Sequence, residues 1–217
     1  MSNAVLVLPP LFDTAAITAG ALSGSLHASR RGLDVVGIFV VAICTGVGGG
    51  AVRDVVLQVG VPVFLVTPVW FGYALLGAVA GSFFAGLVRS WVPVLVLLDS
   101  LLIGVWVLIG AQKTLAFGLS PIAAVFLGLV TATGGGVLRD LLCREVPSVL
   151  QPGQYYALAA LVSAVVYVSL RGLEVPAWWA EGATVVVATM LRWLSMHYDL
   201  RTPRPVDLSP RLLRSRD

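Results

Sequence analysis

The chain has 217 residues, of which 58% are hydrophobic and 12% are charged, and its formal net charge is +3. Soluble domains are usually about 25% charged. This composition excludes an ordinary soluble protein and favours an integral membrane protein, whose chain divides into spans of about 20 residues each.

Seven hydrophobic runs follow one another along the chain, separated by polar or helix-breaking clusters. In lipid such runs must be helices, because a lone strand would leave unpaired backbone groups in hydrocarbon. The runs also lack the alternation of a transmembrane barrel. The sequence therefore predicts an all-α membrane protein with seven transmembrane helices. In chain order the predicted spans are 11–28, 35–57, 69–88, 93–111, 121–142, 155–170 and 176–194.

The basic residues predict the orientation of these spans. The last 17 residues, 201–217, hold five arginines and two aspartates. Positively charged segments remain in the cytoplasm, so the carboxy terminus is expected inside and, with seven spans, the amino terminus outside. The tail is interpreted as a positive-inside anchor, with an anionic-lipid site as the alternative. No aromatic residue interleaves with its arginines, so nucleic acid is not an expected partner.

The chain repeats itself at an offset of 86 residues. The segment "TGVGGGAVRD" from Thr45 aligns with "TATGGGVLRD" from Thr131, and Asp13 aligns with Asp99. Each copy holds three spans, and consecutive copies with an odd number of spans must insert in opposite directions. The predicted organisation is a first repeat at 1–90, an inverted second repeat at 91–174, a seventh helix at 175–196 and a basic cytoplasmic tail at 197–217.

Each repeat carries a glycine triplet within its second span. Consecutive glycines weaken a helix by about 0.8–1 kcal/mol each relative to alanine, so we expect the second and fifth helices to kink or open there. Carbonyls released by an opened turn would face a water-filled path and serve as ligands for a cation in transit. The alternative is that the glycines only permit close helix packing. The triplets are Gly48, Gly49 and Gly50, and Gly134, Gly135 and Gly136.

An arginine and an aspartate follow each triplet: Arg53 and Asp54, then Arg139 and Asp140. Charges at membrane depth must pair or face water. Neighbouring residues point about 100° apart on a helix. We therefore expect pairing across the repeat axis, Arg53 with Asp140 and Arg139 with Asp54. A gate in which an arginine exchanges partners follows from this arrangement.

Other polar residues have less certain roles in the sequence. Asp13 is expected to cap the first helix. Asp99 is expected either to pair with a triplet arginine or to polarise the pathway. Lys113 is expected to mark a helix end or to reach a pore mouth. Cys44 and Cys143 are interpreted as small packing residues. There is no nucleophile–base pair, metal-binding carboxylate cluster or phosphate loop in the sequence, so neither an enzyme with catalytic residues nor a resident metal or cofactor is expected.

Taken together, these residues resemble the trimeric intracellular cation (TRIC) channel family, whose prokaryotic members also appear among possible glycine transporters. The resemblance covers nearly the whole chain and rests on the doubled glycine triplet followed by Arg-Asp. It implies a homotrimer with one pore in each protomer, lined by the kinked second and fifth helices with help from the first and fourth. By the same resemblance the pore passes K⁺ and, less selectively, Na⁺, and the nearby basic residues belong to its gate.

Two functions of different classes follow. The first is a passive, potassium-permeable cation channel in a prokaryotic plasma membrane, with membrane lipids, monovalent cations and further copies of the chain as partners. The alternative is a secondary transporter of a small solute such as glycine, because inverted repeats and broken helices fit both. A continuous water path through one protomer favours the channel, whereas an occluded pocket favours the transporter.

Overall fold

The computed structural model describes residues 10–66, 68–83 and 92–202, apart from the side chains of residues 10–13, 63 and 92–99. The predicted roles of Asp13 and Asp99 therefore fall on side chains outside the described residues, as does most of the basic tail. Within these ranges the chain is helical, with a single isolated bridge between Gln154 and Arg201, in agreement with the predicted all-α class. The helices are α1 Pro10–Arg30, α2 Val35–Val56, α3 Val63–Val66, α4 Pro68–Phe83, α5 Val92–Ala116, α6 Pro121–Leu142, α7 Ala157–Gly172 and α8 Ala177–His197, with a 3₁₀ turn at Ser148–Leu150.

Each predicted span corresponds to one long helix, namely α1, α2 and α4 to α8. The short helix α3 and the 3₁₀ turn were not predicted. Helix α5 continues to Ala116, so Lys113 lies in its last turn and not beyond it. By length and composition alone, α2 and α6 qualify to cross a membrane among the described residues, at 22 residues each and mean hydropathies of 2.2 and 1.8.

The two glycine-rich helices begin in the same way. Gly32 and Gly118 each precede a helix with a φ of +73°, a left-handed conformation that glycine adopts at little cost. Two residues later Asp34 and Ser120 cap α2 and α6, each through a side-chain oxygen that accepts from a backbone N–H of the first turn. Gly118 follows Gly32 by 86 residues, and Ser120 follows Asp34 by the same number, so the two repeats share this local backbone geometry as well as their sequence motif.

The helices form two groups that meet along α2 and α6. Helices α1, α2 and α4 pack together, and α5, α6, α7 and α8 pack together. Alanine dominates both cores, because small side chains let helix backbones approach closely where lipid supplies no hydrophobic drive. The buried centres are Ile17, Ala21, Ala42, Ala74 and Ala78 in the first group, and Ile103, Val107, Ala160, Ala164 and Ala188 in the second.

Two ends of this helical body are named below. The tail end is where α8 ends and Thr202, the last described residue, bonds to Gly153. The far end lies opposite, where the carboxyl ends of α2 and α5 meet through Asp54 and Lys113.

Candidate functional site: a polar cavity at the crossing of two glycine-rich helices

The middle glycines of the triplets let α2 and α6 cross in direct contact. A Cβ built on Gly49 would collide with the carbonyl oxygen of Thr131 and would lie 3.1 Å from the carbonyl carbon of Thr131. A Cβ built on Gly135 would likewise collide with the carbonyl oxygen of Thr45 and would lie 3.2 Å from the carbonyl carbon of Thr45. Each middle glycine thus faces the threonine that begins the other copy of the motif. This geometry supports the packing interpretation for these two positions.

The third glycines have a different environment. A Cβ on Gly136 would meet nothing within 4 Å, and one on Gly50 would meet only the Arg53 guanidinium at 3.8 Å. Both residues line a cavity. One triplet therefore serves two purposes, close packing at its middle position and an open wall at its last.

The predicted opening of the helices is wrong for this conformation. Both triplets lie inside unbroken α-helices, Val35–Val56 and Pro121–Leu142. Packing of α2 against α6 offsets the roughly 1 kcal/mol by which each glycine weakens a helix. The carbonyls of the preceding turn are therefore not released as free ligands. A bend of either helix at its triplet remains a prediction.

A cavity of about 350 Å³ extends from the tail end to the triplets. Its walls come mainly from α1, α2 and α6, with Trp106 of α5 at its inner limit. Ser23, Thr45, Thr131 and Thr133 belong to these walls. The hydroxyls of Thr45 and Thr131 donate to the carbonyls four residues earlier at 2.6 Å, and they lie against Gly24 of α1 and Gly110 of α5.

The charged side chains of this cavity are arginines. Arg30, Arg139 and Arg192 line it together with His27, and among its described lining residues there is no carboxylate. Arg192 also lies over the ring of Tyr156, with its guanidinium carbon 5.1 Å from the ring centre. An ion in the cavity therefore meets polar residues near the triplets and the positive charge of arginines near the tail end.

Each motif arginine pairs with the aspartate that follows it. Arg53 reaches Asp54 Oδ1 through Nε at 2.9 Å and Nη2 at 2.8 Å. Arg139 reaches Asp140 Oδ1 through Nε at 2.8 Å and Nη2 at 2.7 Å. The predicted pairing across the repeat axis, Arg53 with Asp140 and Arg139 with Asp54, is therefore wrong in this conformation, and the predicted gate by exchange of partners remains a prediction. The long arginine side chain folds back far enough to overcome the 100° between neighbouring positions.

A lysine supplies the contact between the two halves at the far end. Lys113 Nζ lies 2.8 Å from Asp54 Oδ1, the oxygen that Arg53 also contacts. The Asp54 side chain is 2% exposed, that of Arg53 is 6% exposed and that of Lys113 is 24% exposed. We call Arg53, Asp54 and Lys113 the far-end ion cluster. Lys113 lies in the last turn of α5, as the first of its two predicted uses requires, and a place at a pore mouth remains a prediction.

The tail end has a related cluster. His27 Nε2 lies 3.1 Å from Glu145 Oε2, and Arg31 pairs with the other oxygen of Glu145. Asp140 Oδ2 accepts a hydrogen bond from the backbone N–H of Ser148 at 2.8 Å. His27 lies 86 residues before Lys113, so the repeat offset pairs these two basic residues.

His27, Asp140 and Glu145 bring one potential metal-ligand atom each to within 4.8 Å of one another. No such cluster was predicted from the sequence, since His27 lies in α1, far along the chain from Asp140 and Glu145. Arginines already hold both carboxylates, Arg139 on Asp140 and Arg31 on Glu145. A metal ion at this place would have to displace two guanidinium groups.

A second, smaller pocket of about 40 Å³ lies on the far side of the crossing. Its walls include Ala51, Arg53, Asp54 and Ile109. Gly50 and Trp106 line both this pocket and the larger cavity. Trp106 was not predicted as a functional position from the sequence. The repeat alignment places it opposite Gly20, and this large difference in side-chain size at equivalent positions was a signal that could have identified it.

The sequence of this chain is similar to those of known membrane proteins. The sequence profile of the glycine transporter family matches residues 10–86 and again residues 96–172. A UPF0126 membrane protein of Deinococcus radiodurans is 33% identical over 192 residues, which cover 88% of this chain and 89% of the relative. The UPF0126 inner membrane protein YadS of Escherichia coli K12 is 33% identical over 191 residues, with coverages of 84% and 89%.

The fold of this chain is also similar to solved structures of TRIC channels. A channel from a study of conductance through TRIC cation channels superposes with a TM-score of 0.85 at 30% identity, covering 93% of this chain and 98% of its own. The TRIC trimeric intracellular cation channel orthologue of Rhodobacter sphaeroides superposes with a TM-score of 0.80 at 34% identity, with coverages of 88% and 98%.

Proposed function

Because this chain belongs to the family of membrane proteins that comprises the bacterial UPF0126 proteins and the prokaryotic TRIC channels, we propose that it is a monovalent cation channel. The proposed protein is permeable to K⁺, assembles as a homotrimer and carries one pore in each protomer. The observation that carries the proposal is the polar cavity that enters between α1, α2 and α6 and stops at the glycine triplets.

The pore is proposed to follow the two cavities in series. The tail-end cavity forms its wide half, and the 40 Å³ pocket beside the far-end ion cluster forms its narrow half. Between them the crossing of α2 and α6 narrows the path, with Gly50 and Gly136 as part of its wall. The threonine residues that line the cavity at this level replace part of the water around a cation.

The far-end ion cluster is proposed as the gate. Asp54 holds both Arg53 and Lys113, and the lysine is the more exposed of the two cations. When Lys113 leaves, Arg53 still neutralises the aspartate, so the buried carboxylate is never left without a partner. Moving one charge through the full potential is worth about 2.3 kcal/mol per 100 mV, which makes a lysine in this position sensitive to voltage.

The proposed topology is seven membrane-crossing helices, formed as two inverted three-helix repeats and a seventh helix. The family profile supports this division, since it matches each half of the chain separately at an offset of 86 residues. In this topology the amino terminus is outside, the carboxy terminus is cytoplasmic and the membrane is the plasma membrane of a prokaryote. Monovalent cations, lipids and the other protomers are the partners, and no resident cofactor is required.

A secondary transporter of glycine is the second candidate, since the family profile that matches both halves of the chain is described as that of glycine transporters. A zwitterion needs a carboxylate for its amine, and in the described lining of that cavity none is present. Asp54 and Asp140 are both engaged by arginines and are 2% exposed. These observations favour the channel.

Charge substitution at Gly136 tests the proposal, because this position faces open space in the cavity wall. In planar bilayers under a K⁺ gradient, Gly136→Asp should raise the single-channel cation conductance several-fold at low salt, and Gly136→Lys should lower it, with both effects fading at high salt. Gly182 on α8 also has open space but does not line the cavity, so the same two substitutions there should leave conductance unchanged. Silent bilayers together with saturable glycine uptake into liposomes would reject the channel and support the transporter.

A further inference from the structure

The larger cavity and the smaller pocket share one side chain. Trp106 lines both the 350 Å³ cavity and the 40 Å³ pocket. Its indole also packs against the buried clusters of both helix groups. Among the described residues no other side chain lines both, since the remaining shared residue, Gly50, has none.

The repeat shows why the two halves of the path differ in width. In α1, the pathway face carries Gly20 and Ser23, both of which line the large cavity. At the equivalent positions, 86 residues later, α5 carries Trp106 and Ile109, both of which line the small pocket. A twofold arrangement with equal side chains would give two equal halves. The bulk of α5 therefore accounts for a far half that is much smaller than the tail half.

From this contrast we propose that Trp106, supported by Ile109, is an apolar plug that closes the far half of the pathway. The inference rests on the proposed channel function and adds a second barrier to it, in series with the far-end ion cluster. A neck lined by apolar groups excludes water and therefore a hydrated cation, without any charged residue being required. Opening of the channel then needs two events, departure of Lys113 and displacement of the indole.

Reactivity of a cysteine beyond the plug tests this barrier directly. Ala51 lines the small pocket but not the large cavity, so Ala51→Cys reports entry past Trp106. The two native cysteines are replaced by Cys44→Ser and Cys143→Ser. Silver ion, similar in size to K⁺, is applied to membrane vesicles of either orientation. The orientation in which Ser23→Cys reacts fast identifies tail-side access, because Ser23 lines the large cavity.

With tail-side application, Trp106→Ala should raise the reaction rate of the cysteine at position 51 at least tenfold. Ile109→Ser, which copies Ser23, should raise it by a smaller factor. Trp70→Ala is the matched control, because Trp70 lines the small pocket only and its removal leaves the plug in place. Trp106→Leu provides a milder variant if the alanine protein does not fold. Unchanged rates in the folded Trp106 variants, or an equal increase in Trp70→Ala, would overturn the plug.

Bilayer recording separates this inference from the channel proposal. Faster labelling of Trp106→Ala in a protein that passes no current would retain the plug and reject conduction. Currents through the native chain together with unchanged labelling in the Trp106 variants would retain conduction and reject the plug.

Discussion

Lys113 and His27 occupy equivalent positions in the two halves of the chain, and each contacts a carboxylate of the opposite half. Lys113 Nζ lies 2.8 Å from Asp54 Oδ1 at the far end, and His27 Nε2 lies 3.1 Å from Glu145 Oε2 at the tail end. Cross-repeat pairing of charge is therefore present, but a lysine and a histidine provide it where the motif arginines were expected. The two ends also differ in chemistry, because a lysine ammonium has three donors and no acceptor, whereas a histidine ring offers two distinct nitrogens.

Replacement of Lys113 tests the gate. Lys113→Gln removes one of the two cations on Asp54 while Arg53 remains, so the protein should fold and its open probability should rise. Its voltage dependence should weaken, because a mobile charge has been lost. Single-channel recording over a range of potentials measures both effects, and Lys113→Arg should retain them. An unchanged voltage dependence in Lys113→Gln would place the voltage-sensing charge elsewhere.

Removal of the Asp54 carboxylate tests the stability of the far-end ion cluster. Asp54→Asn leaves Arg53, which is 5% exposed, without its counter-charge and should destabilise the protein by about 3–5 kcal/mol. Thermal unfolding in detergent measures the change. Asp199→Asn is the control, because Asp199 pairs with Arg201 at the surface and should cost at most about 1 kcal/mol. If Asp54→Asn and Asp199→Asn lowered the stability equally, burial of the ion pair would not determine how much the pair contributes to stability.

The helix crossing predicts opposite results for neighbouring glycines. Gly135→Ala should cost at least about 1–3 kcal/mol, because its methyl group would collide with the carbonyl of Thr45. Gly136→Ala should be neutral or stabilising by up to about 1 kcal/mol, because its methyl group meets open space in a helix. Melting temperatures of the two variants provide the comparison. A Gly135→Ala protein as stable as Gly136→Ala would show that α2 and α6 do not cross in contact.

The thiol of Cys143, just beyond the end of α6, is predicted to react at a rate that depends on pH. Burial, with a further contribution from the charge of Glu145, raises the pKa of this thiol above its ordinary value. A raised pKa leaves less thiolate at neutral pH, so alkylation by iodoacetamide at pH 7.5 should be slower than that of an exposed cysteine. The rate should increase as the pH rises toward the thiol pKa. Glu145→Gln should make alkylation at pH 7.5 faster, since it removes the nearby negative charge.

The position of each long helix could be predicted from the sequence to within a few residues, since hydropathy and breaker residues act locally. The doubled motif also located the crossing of α2 and α6. Side-chain partners were harder to predict. The expected pairing of Arg53 with Asp140 followed from helical geometry alone, and it did not account for the reach of a flexible arginine or for the arrival of Lys113 from another helix.

The sequence by itself determined the helical class, because hydropathy is a local property, and the 86-residue offset, because a repeat is found by comparing the chain with itself. The caps of α2 and α6 were found in the structure. Only the tertiary structure decided that Gly49 and Gly135 serve packing, whereas Gly50 and Gly136 line a cavity. It also decided which half of the path is wide. Helix propensity and hydropathy are local properties, whereas the neighbour of a given side chain is set by how separate helices pack, and three adjacent glycines look alike until a second helix lies against one of them.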